Sequence, residues 1–246
     1  MSDALTASTL TIVGHGGDQI EAYLASPEGA GARGGVVVIH HLPGFDRATK
    51  EIVRRFAELG YDAICPNLHH REAPGASPDD AAAAARARGG VPDERLVADV
   101  GSAAAHLRLL PSSNGKVAVI GYCSGGRQSV LAACSLDLNA AVDCYGAYVV
   151  GDPPEGSALK MSNLVDRLPD LRCPLLGLFG KNDAHPSPEE VATLDSILTD
   201  YGKPHEFHTY DAAGHAFFAV DRPSYRVEAA NDGWERIEAF FAKHLT

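Results

Sequence analysis

The chain is short of positive charge and has no long apolar segment. Its 21 Lys and Arg residues are outnumbered by 32 Asp and Glu residues, which gives a formal net charge of -11 at pH 7. Because no basic cluster offsets this charge, the composition argues against nucleic acid or an anionic membrane as a partner. No stretch approaches the roughly 20 apolar residues of a membrane-spanning helix. The first residues show no basic segment followed by an apolar one, so we expect a cytoplasmic protein.

Cysteine is also scarce, and its spacing excludes a disulfide framework. The five cysteines include no Cys-x-x-Cys pair and are odd in number. We therefore expect reduced thiols in a reducing compartment. Disorder is excluded for the chain as a whole, because 45% of the residues are hydrophobic and only 22% are charged.

Strand-like and helix-like segments alternate along most of the sequence. A hairpin is predicted over residues 9–25, and apolar runs predict buried strands at 36–39, 62–65, 117–120, 140–145, 174–180 and 206–210. Helical spacing occurs at 50–59, 93–110, 128–133, 188–201 and 224–244. This alternation predicts a single α/β domain over residues 1–246, with a mostly parallel central sheet and helices on both faces.

Two segments do not follow this alternation. Residues 66–92 are rich in Pro, Ala, Gly and charge, and we interpret them as an excursion over the active-site face with a short Ala-rich helix. Residues 146–165 include the run Gly-Asp-Pro-Pro-Glu-Gly that begins at Gly151 and predicts a long surface loop. We expect these two segments to determine substrate specificity.

A nucleophile motif lies at the centre of the sequence. The predicted strand 117–120 leads into Gly121-x-Cys123-x-Gly125 and then into a helix. This is the cysteine form of the Gly-x-Ser-x-Gly nucleophile elbow of α/β-hydrolases, in which the nucleophile stands on a strained turn. The helix N-terminus beneath the sulfur favours a thiolate. The alternative is a sulfur that is merely packed in the core, as free cysteines often are.

Two further ionisable residues follow later strand ends. Asp183 comes after the strand 174–180, and His215 comes after the strand 206–210. The carboxyl ends of parallel strands meet at one edge of the sheet, where α/β proteins build their sites. The order Cys123, Asp183, His215 is the α/β-hydrolase order of nucleophile, acid and base. Taken singly, Asp183 is equally compatible with a helix cap and His215 with an ordinary loop histidine.

A catalytic thiolate also needs donors for the oxyanion that develops on the substrate. We predict that the backbone N–H groups of Ser124, directly after the nucleophile, and of Leu42, in the loop after the first buried strand, supply them. His215, oriented by Asp183, would move the proton and later activate water against the acyl-enzyme.

Several of these motifs resemble those of the dienelactone hydrolase family over nearly the whole chain. The resemblance rests on Gly121-Tyr122-Cys123-Ser124-Gly125-Gly126, on Cys65-Pro66-Asn67-Leu68 with Ala73-Pro74-Gly75, on Asn114-Gly115-Lys116-Val117, on Gly180-Lys181-Asn182-Asp183 and on Ala213-Gly214-His215-Ala216-Phe217. It implies an α/β-hydrolase fold and a carboxymethylenebutenolidase-like hydrolase that opens a lactone or small ester through a Cys-His-Asp triad. It also implies that no metal or organic cofactor is needed.

The sequence departs from the best-known members of that family at two positions. His41 stands where they have a glutamate able to engage the resting thiol, so His41 is a candidate partner for a thiolate. Ala219 stands where they have an arginine that helps hold a substrate carboxylate. Other arginines could take an anionic substrate, although solvation on the surface is the simpler role for each: Arg71, Arg86, Arg88, Arg95 and Arg127.

The remaining candidates concern the pocket. We predict that His41, His69, Tyr145 and Phe217 line it, while core packing is an equal alternative for the aromatic residues. A metal site built from the two His-His pairs is disfavoured, because neighbours on extended backbone point to opposite faces. The leading hypothesis is a thiol-dependent hydrolase of a small ester or lactone. The alternatives are a thioesterase or other acyl hydrolase of the same fold, and a non-catalytic small-molecule-binding relative.

Overall fold

Eight strands form one sheet in the order β1-β2-β4-β3-β5-β6-β7-β8 in this computed structural model, which describes residues 4–29 and 31–246. The strands are β1 Leu5–Val13, β2 Gln19–Pro27, β3 Arg33–Ile39, β4 Asp62–Pro66, β5 Ser113–Tyr122, β6 Ala140–Cys144, β7 Leu175–Gly180 and β8 His205–Tyr210. The helices are α1 Arg47–Glu58, α2 Pro78–Ala87, α3 Asp93–Leu109, α4 Ser124–Ser135, α5 Pro188–Asp200 and α6 Val227–Leu245.

The sheet is mostly parallel, as the alternation of elements predicts. β1 and β2 form the predicted hairpin, with Val13 opposite Gln19, and β2 also runs antiparallel to β4. All pairings among β3 to β8 are parallel. The carboxyl ends of these strands therefore lie along one edge, which is where Cys123, Asp183 and His215 follow β5, β7 and β8.

The core occupies both faces of the sheet. Alternate residues of the central strands point to opposite faces, so that Val37 and Val119 join one apolar cluster while Val36 and Ala118 join the other. The first cluster includes residues of α3, α4 and α5, and the second includes residues of α1 and α6. Burial on both faces explains why these strands have continuous apolar sequences.

Helix boundaries differ from the predictions where side chains form hydrogen bonds that the sequence did not indicate. α1 begins at Arg47 instead of residue 50, because the Asp46 carboxylate accepts a hydrogen bond from the Thr49 N–H at 2.8 Å. α6 begins at Val227 instead of residue 224, because the Ser224 hydroxyl donates to the Ala216 carbonyl at 3.1 Å and keeps that residue in the preceding loop.

The two irregular segments carry some regular structure. Residues 66–92 contain the expected Ala-rich helix, α2, with Ser77 as its N-cap and a proline at its start. Two short 3-10 helices were not predicted, one in the β1–β2 turn at His15–Gly17 and one at Val165–Asp170.

No helix in the described ranges has both the length and the apolar composition needed to cross a bilayer. The prediction about the first residues of the chain falls partly on Met1 to Asp3, which lie outside the described residues. Ala30 lies outside them as well, and the single-domain prediction for residues 1–246 stays a prediction.

Candidate active site

Cys123 lies on a strained turn between β5 and α4. Its φ of 57° and ψ of -120° fall in a region that non-glycine residues rarely adopt. The turn is held by a hydrogen bond from the Cys123 N–H to the Cys144 carbonyl at 3.0 Å. A Cβ on Gly121 would lie 1.8 Å from the Gly125 carbonyl oxygen, and one on Gly125 would lie 2.3 Å from the Ile39 carbonyl oxygen. Glycine is therefore required at both positions, because backbone packs against backbone around the nucleophile.

His215 contacts both of the other residues predicted with it. Its Nε2 lies 3.0 Å from the Cys123 Sγ, and its Nδ1 lies 2.8 Å from an Asp183 carboxylate oxygen. The other Asp183 oxygen accepts the His185 N–H at 3.0 Å, so both oxygens of this carboxylate are engaged. The Asp183 side chain is 3% exposed, whereas that of His215 is 35% exposed and can reach a substrate.

Close contact between two loops brings the acid and the base together. A Cβ on Gly180, at the end of β7, would lie 2.5 Å from the Ala213 carbonyl oxygen, so the two loops can approach only because residue 180 is glycine. The Asn182 N–H donates to the same carbonyl at 2.9 Å. Tyr145 then packs against the edge of the His215 imidazole, with ring centroids 5.2 Å apart. The imidazole is thus held from the side as well as by its two nitrogen contacts.

The surroundings of His215 favour its protonated form. Burial alone would lower its pKa, but the hydrogen bonds to Asp183 and Cys123 outweigh this effect and raise the pKa to about 10. An imidazolium 3.0 Å from the sulfur is the environment that favours a thiolate. The site therefore favours an imidazolium at His215 at neutral pH.

The two residues predicted to supply oxyanion donors are Leu42 and Ser124. Ser124 is the first residue of α4, so its N–H has no acceptor one turn back within the helix. Leu42 and Ser124 both border the space next to Cys123 and His215. Among the hydrogen bonds of the described residues, none is donated by either N–H group.

His40 is a residue whose role we did not infer from the sequence. Its imidazole is 2% exposed. Its Nε2 accepts the Leu68 N–H at 3.1 Å, and its Nδ1 lies 3.0 Å from the His41 carbonyl, which assigns the Nδ1–H tautomer. Burial, together with the neighbouring His69, lowers the pKa of His40 to about 3. A neutral His40 therefore fastens the loop that carries Leu42 to the segment after β4.

His41 does not contact the sulfur. Its Nε2 lies 3.2 Å from a carboxylate oxygen of Asp46, and the same carboxylate caps α1. Burial raises the pKa of Asp46, but hydrogen bonds from His41 and Thr49 outweigh this effect and lower it to about 2. The expectation that His41 pairs with a thiolate is corrected, because its Nε2 is directed to Asp46 and the Cys123 sulfur has His215 as its partner.

Two cavities adjoin Cys123 and His215. The first, which we call the aromatic cavity, has a volume of about 240 Å³ and is lined by Tyr122, Tyr145, Phe218 and Trp234, with His41, Ile52 and Ala219. The second, which we call the loop cavity, has a volume of about 300 Å³ and is lined by Arg86, Tyr148, Leu159, Met161 and His185. The two segments expected to determine specificity contribute part of this lining: Arg86, Ala147, Tyr148, Leu159 and Met161. A larger groove of about 760 Å³ along β8 includes neither Cys123 nor His215.

Two of the four predicted pocket residues lie elsewhere. Phe217 is 0% exposed and packs between Tyr145 and Phe218 in the core. His69 is 5% exposed and packs edge-on against His40, behind the loop that carries Leu42. Both follow strand ends, but their side chains point into the protein. His41 and Tyr145 do line the aromatic cavity.

Most of the candidate arginines already have partners. Arg71 pairs with Asp18 and Asp99, and Arg95 pairs with Glu72. Arg127 is 1% exposed rather than solvated, and its guanidinium binds the carboxylate of Asp93. Arg86 is exposed and faces the loop cavity. Within residues 4–29 and 31–246, no group of three or more His, Cys, Asp or Glu side chains could hold a metal ion.

A mostly parallel sheet with a Gly-x-Cys-x-Gly turn, an aspartate and a histidine after β5, β7 and β8 is typical of an α/β-hydrolase. Comparison with known proteins narrows this class. The sequence model of the dienelactone hydrolase family matches residues 20–245. The chain belongs to this family and is a hydrolase that acts on ester bonds.

Individual relatives agree with this assignment. A "Putative carboxymethylenebutenolidase" of Salmonella typhimurium is 35% identical over 252 residues, covering 98% of this chain and 89% of that protein. A carboxymethylenebutenolidase of Rhodococcus opacus is 28% identical over 226 residues, covering 91% of this chain and 86% of that protein. The crystal structure of a "Putative Dienelactone Hydrolase" from Klebsiella pneumoniae superposes with a TM-score of 0.86 at 32% identity, covering 98% of this chain and 99% of that one.

Proposed function

We propose that the protein hydrolyses small carboxylic esters or lactones through a thioester acyl-enzyme formed on Cys123. The single observation that carries this proposal is the pair of contacts at His215, 3.0 Å to the Cys123 Sγ and 2.8 Å to the Asp183 carboxylate. Nucleophile, base and orienting acid are thus connected in the order that covalent acyl transfer requires. The name carboxymethylenebutenolidase, which the relatives carry, supports a lactone as one type of substrate.

The reaction follows from these positions. The Cys123 thiolate attacks the ester carbonyl carbon, and the N–H groups of Leu42 and Ser124 bind the oxygen as it becomes negative. The C–O bond to the alcohol then breaks, and the departing alkoxide takes the proton from the His215 imidazolium. The neutral imidazole next removes a proton from water, and the resulting hydroxide attacks the thioester carbonyl. The carboxylic acid leaves, and the thiolate–imidazolium pair is restored.

The loop cavity supports a substrate group with negative charge. Arg86 faces this cavity, and no salt bridge to it occurs among the described residues. The other charged groups at this end of the site are already engaged, since Arg127 pairs with Asp93 and Asp183 with His215. A carboxylate on the substrate would therefore find a free guanidinium within the loop cavity.

The proposal is tested by replacing the nucleophile and by trapping the acyl-enzyme. We expect Cys123→Ala to lose hydrolysis of p-nitrophenyl acetate by at least about a thousandfold, because the covalent step needs the sulfur. Mass spectrometry after rapid acid quench should show the wild type heavier by one acetyl group, located on the peptide that contains Cys123. Cys134→Ala, at the opposite end of α4, is the matched control and should retain both activity and acylation.

Full hydrolysis by Cys123→Ala would exclude the thiol mechanism. A wild type that binds esters in stoichiometric amounts without turnover would instead support the non-catalytic alternative. Comparison of oxygen esters with thioesters of the same acyl group decides between the esterase and thioesterase alternatives, since the fold does not determine the leaving group.

A further inference from the structure

We propose that the aromatic cavity is a subsite for an uncharged aromatic group attached directly to the scissile ester. This inference takes ester hydrolysis from the proposed function, on which it rests, and adds the class of substrate. The cavity borders both the Cys123 sulfur and the His215 imidazole. A group held in it therefore lies next to the reacting carbonyl, while the rest of the substrate extends into the loop cavity on the other side of the same two residues.

The size of the cavity suits one substituted ring. A cavity of about 150 Å³ lined by apolar side chains is enough to hold benzene in another protein. The aromatic cavity has a volume of about 240 Å³, which leaves room for a ring with one or two substituents. This is below the roughly 300 Å³ at which sites for larger ligands begin.

The walls of the cavity offer aromatic contacts. Tyr122, Tyr145 and Phe218 form a mutually packed set on one side, with ring centroids 5.7 to 6.3 Å apart. Tyr122 is 3% exposed, and its hydroxyl has no hydrogen-bond partner among the described residues. This hydroxyl has almost no accessible surface, so Tyr122 contributes its ring and not its hydroxyl to the cavity wall.

The charges at the rim do not select an ionised ligand. Two acids and two bases line the edge of the cavity: Glu51, Asp221, Arg55 and Arg222. Arg55 is already placed over the Trp234 ring, 3.8 Å from its centroid, and Glu51 is paired with Arg54. Because the two negative and two positive side chains balance each other, we expect the apolar walls to determine which ligand binds.

Ala219 is the residue that makes this space available. It lines the aromatic cavity and is half-buried, so any longer side chain at this position would occupy part of the volume. Ala48 lines the opposite wall from α1. Both residues can be enlarged without touching Cys123, Asp183 or His215.

Binding can be measured without turnover, because the only tryptophan of the chain, Trp234, lines this cavity. In Cys123→Ala protein, we expect benzamide to change the Trp234 fluorescence in a saturable way, whereas acetamide at equal concentration does not. Introducing Ala219→Leu or Ala48→Leu should weaken the binding of benzamide by at least about tenfold. Ala239→Leu, at an exposed position of α6 outside both cavities, is the matched control and should leave this binding unchanged.

Kinetics give a second, independent readout. We expect Ala219→Leu to lower kcat/KM for methyl benzoate relative to methyl acetate by about tenfold, on the scale by which hydrophobic pockets discriminate. The intrinsic reactivities of the two esters cancel when the wild-type ratio is divided by the variant ratio.

The outcomes separate this inference from the proposed function. If no ester is hydrolysed but benzamide binds and Ala219→Leu abolishes its binding, the subsite stands and the proposed reaction fails. If esters are hydrolysed but benzamide leaves Trp234 fluorescence unchanged, or if Ala219→Leu and Ala48→Leu both leave the benzoate-to-acetate ratio unaltered, the subsite is overturned. Should one enlarged variant fail to fold, the other decides.

Discussion

At the scale of single residues, Asp183 controls the protonation of His215. Its carboxylate is buried, and both of its oxygens accept hydrogen bonds, from the His215 imidazole and from the His185 N–H. A negative charge held at 2.8 Å stabilises the imidazolium and contributes to the raised pKa of about 10 for His215. The charge of one carboxylate therefore sets the upper limit of the pH range in which the imidazolium can donate its proton.

We expect Asp183→Asn to move the alkaline limb of the kcat/KM profile to lower pH by about one unit or more. Removing the carboxylate charge takes away an interaction that favours the protonated form, so the pKa of His215 falls and the imidazolium is lost at lower pH. Steady-state hydrolysis between pH 6 and 11 measures this shift. Asp200→Asn, on an exposed residue of α5, is the control, and an alkaline limb that stays in place in Asp183→Asn would contradict this account of His215.

A position after a strand end indicated where the backbone of a residue lies, but not in every case where its side chain points. Cys123, Asp183 and His215 were placed together by their positions after β5, β7 and β8, and their side chains meet. Phe217 and His69 also follow strand ends, but their side chains turn into the core. The sequence indicated the position of the backbone for all five residues. It did not indicate the direction of their side chains, because this direction depends on packing against elements distant in the sequence.

At the scale of structural elements, the loop between β3 and α1 depends on His40. This imidazole accepts the Leu68 N–H and contacts the His41 carbonyl, so it connects the loop to the segment after β4. Leu42, whose N–H is the proposed oxyanion donor, lies two residues further along the same loop. We therefore expect His40 to act as a positioning residue through the backbone.

For His40→Ala we expect kcat to fall by about tenfold to a hundredfold with a much smaller change in KM, because a displaced Leu42 N–H weakens only the binding of the transition state. The variant should also lose about 2 kcal/mol of unfolding free energy, since the buried Leu68 N–H loses its acceptor. Ester kinetics and denaturant unfolding measure the two effects. His244→Ala, near the C-terminal end of α6, is the control. A loss of stability with unchanged kcat would show that His40 has no role in positioning Leu42.

The sequence predicted elements better than it predicted their ends. All eight strands and all six helices correspond to predicted segments, since continuous apolar runs and helical spacing are local signals. The starts of α1 and α6 were missed, because they depend on hydrogen bonds made by Asp46 and Ser224. The cap of α1 is an example, since the Asp46 carboxylate both caps the helix and contacts His41 in the loop after β3.

At the scale of the whole molecule, one buried carboxyl group makes stability depend on pH. Asp143 of β6 is 0% exposed, and one of its oxygens accepts the Gly146 N–H at 2.7 Å. The other oxygen has no partner among the described residues. Burial raises the pKa of Asp143 to about 7, with the Gly146 hydrogen bond opposing part of the effect. The carboxyl group of Asp143 is therefore mainly protonated in the folded protein below about pH 7, whereas in the unfolded chain it is mainly ionised above about pH 4.

The sign of the effect follows from the raised pKa. The stability that protonated Asp143 contributes is fully present below about pH 4 and is lost as the pH rises through about 7. Because Asp143→Asn cannot ionise, its unfolding free energy should increase relative to the wild type by up to about 4 kcal/mol between pH 4 and pH 8. Urea unfolding of both proteins at several pH values measures the difference. A difference that does not vary with pH would contradict the raised pKa. All other titrating groups are common to the two proteins and cancel.

The location of the protein and the single-domain organisation stay predictions.

The aromatic cavity is a feature of the whole molecule, because its walls come from α1, β5, the segment after β8 and α6. No local pattern indicates such a space, since Ile52, Tyr122, Ala219 and Trp234 are far apart in the sequence and each is ordinary in its own segment.

The sequence by itself determined the order of elements and the edge of the sheet at which the chemistry lies. Apolar periodicity acts over a few residues, and parallel strands necessarily bring their carboxyl ends to a common edge. Only the tertiary structure decided that His41 contacts Asp46 and not the sulfur. It also decided that His40 connects the loop carrying Leu42 to the segment after β4, and that a cavity lies beside Ala219. These features depend on distances between side chains of different elements, and such distances exist only once the helices have packed against the sheet.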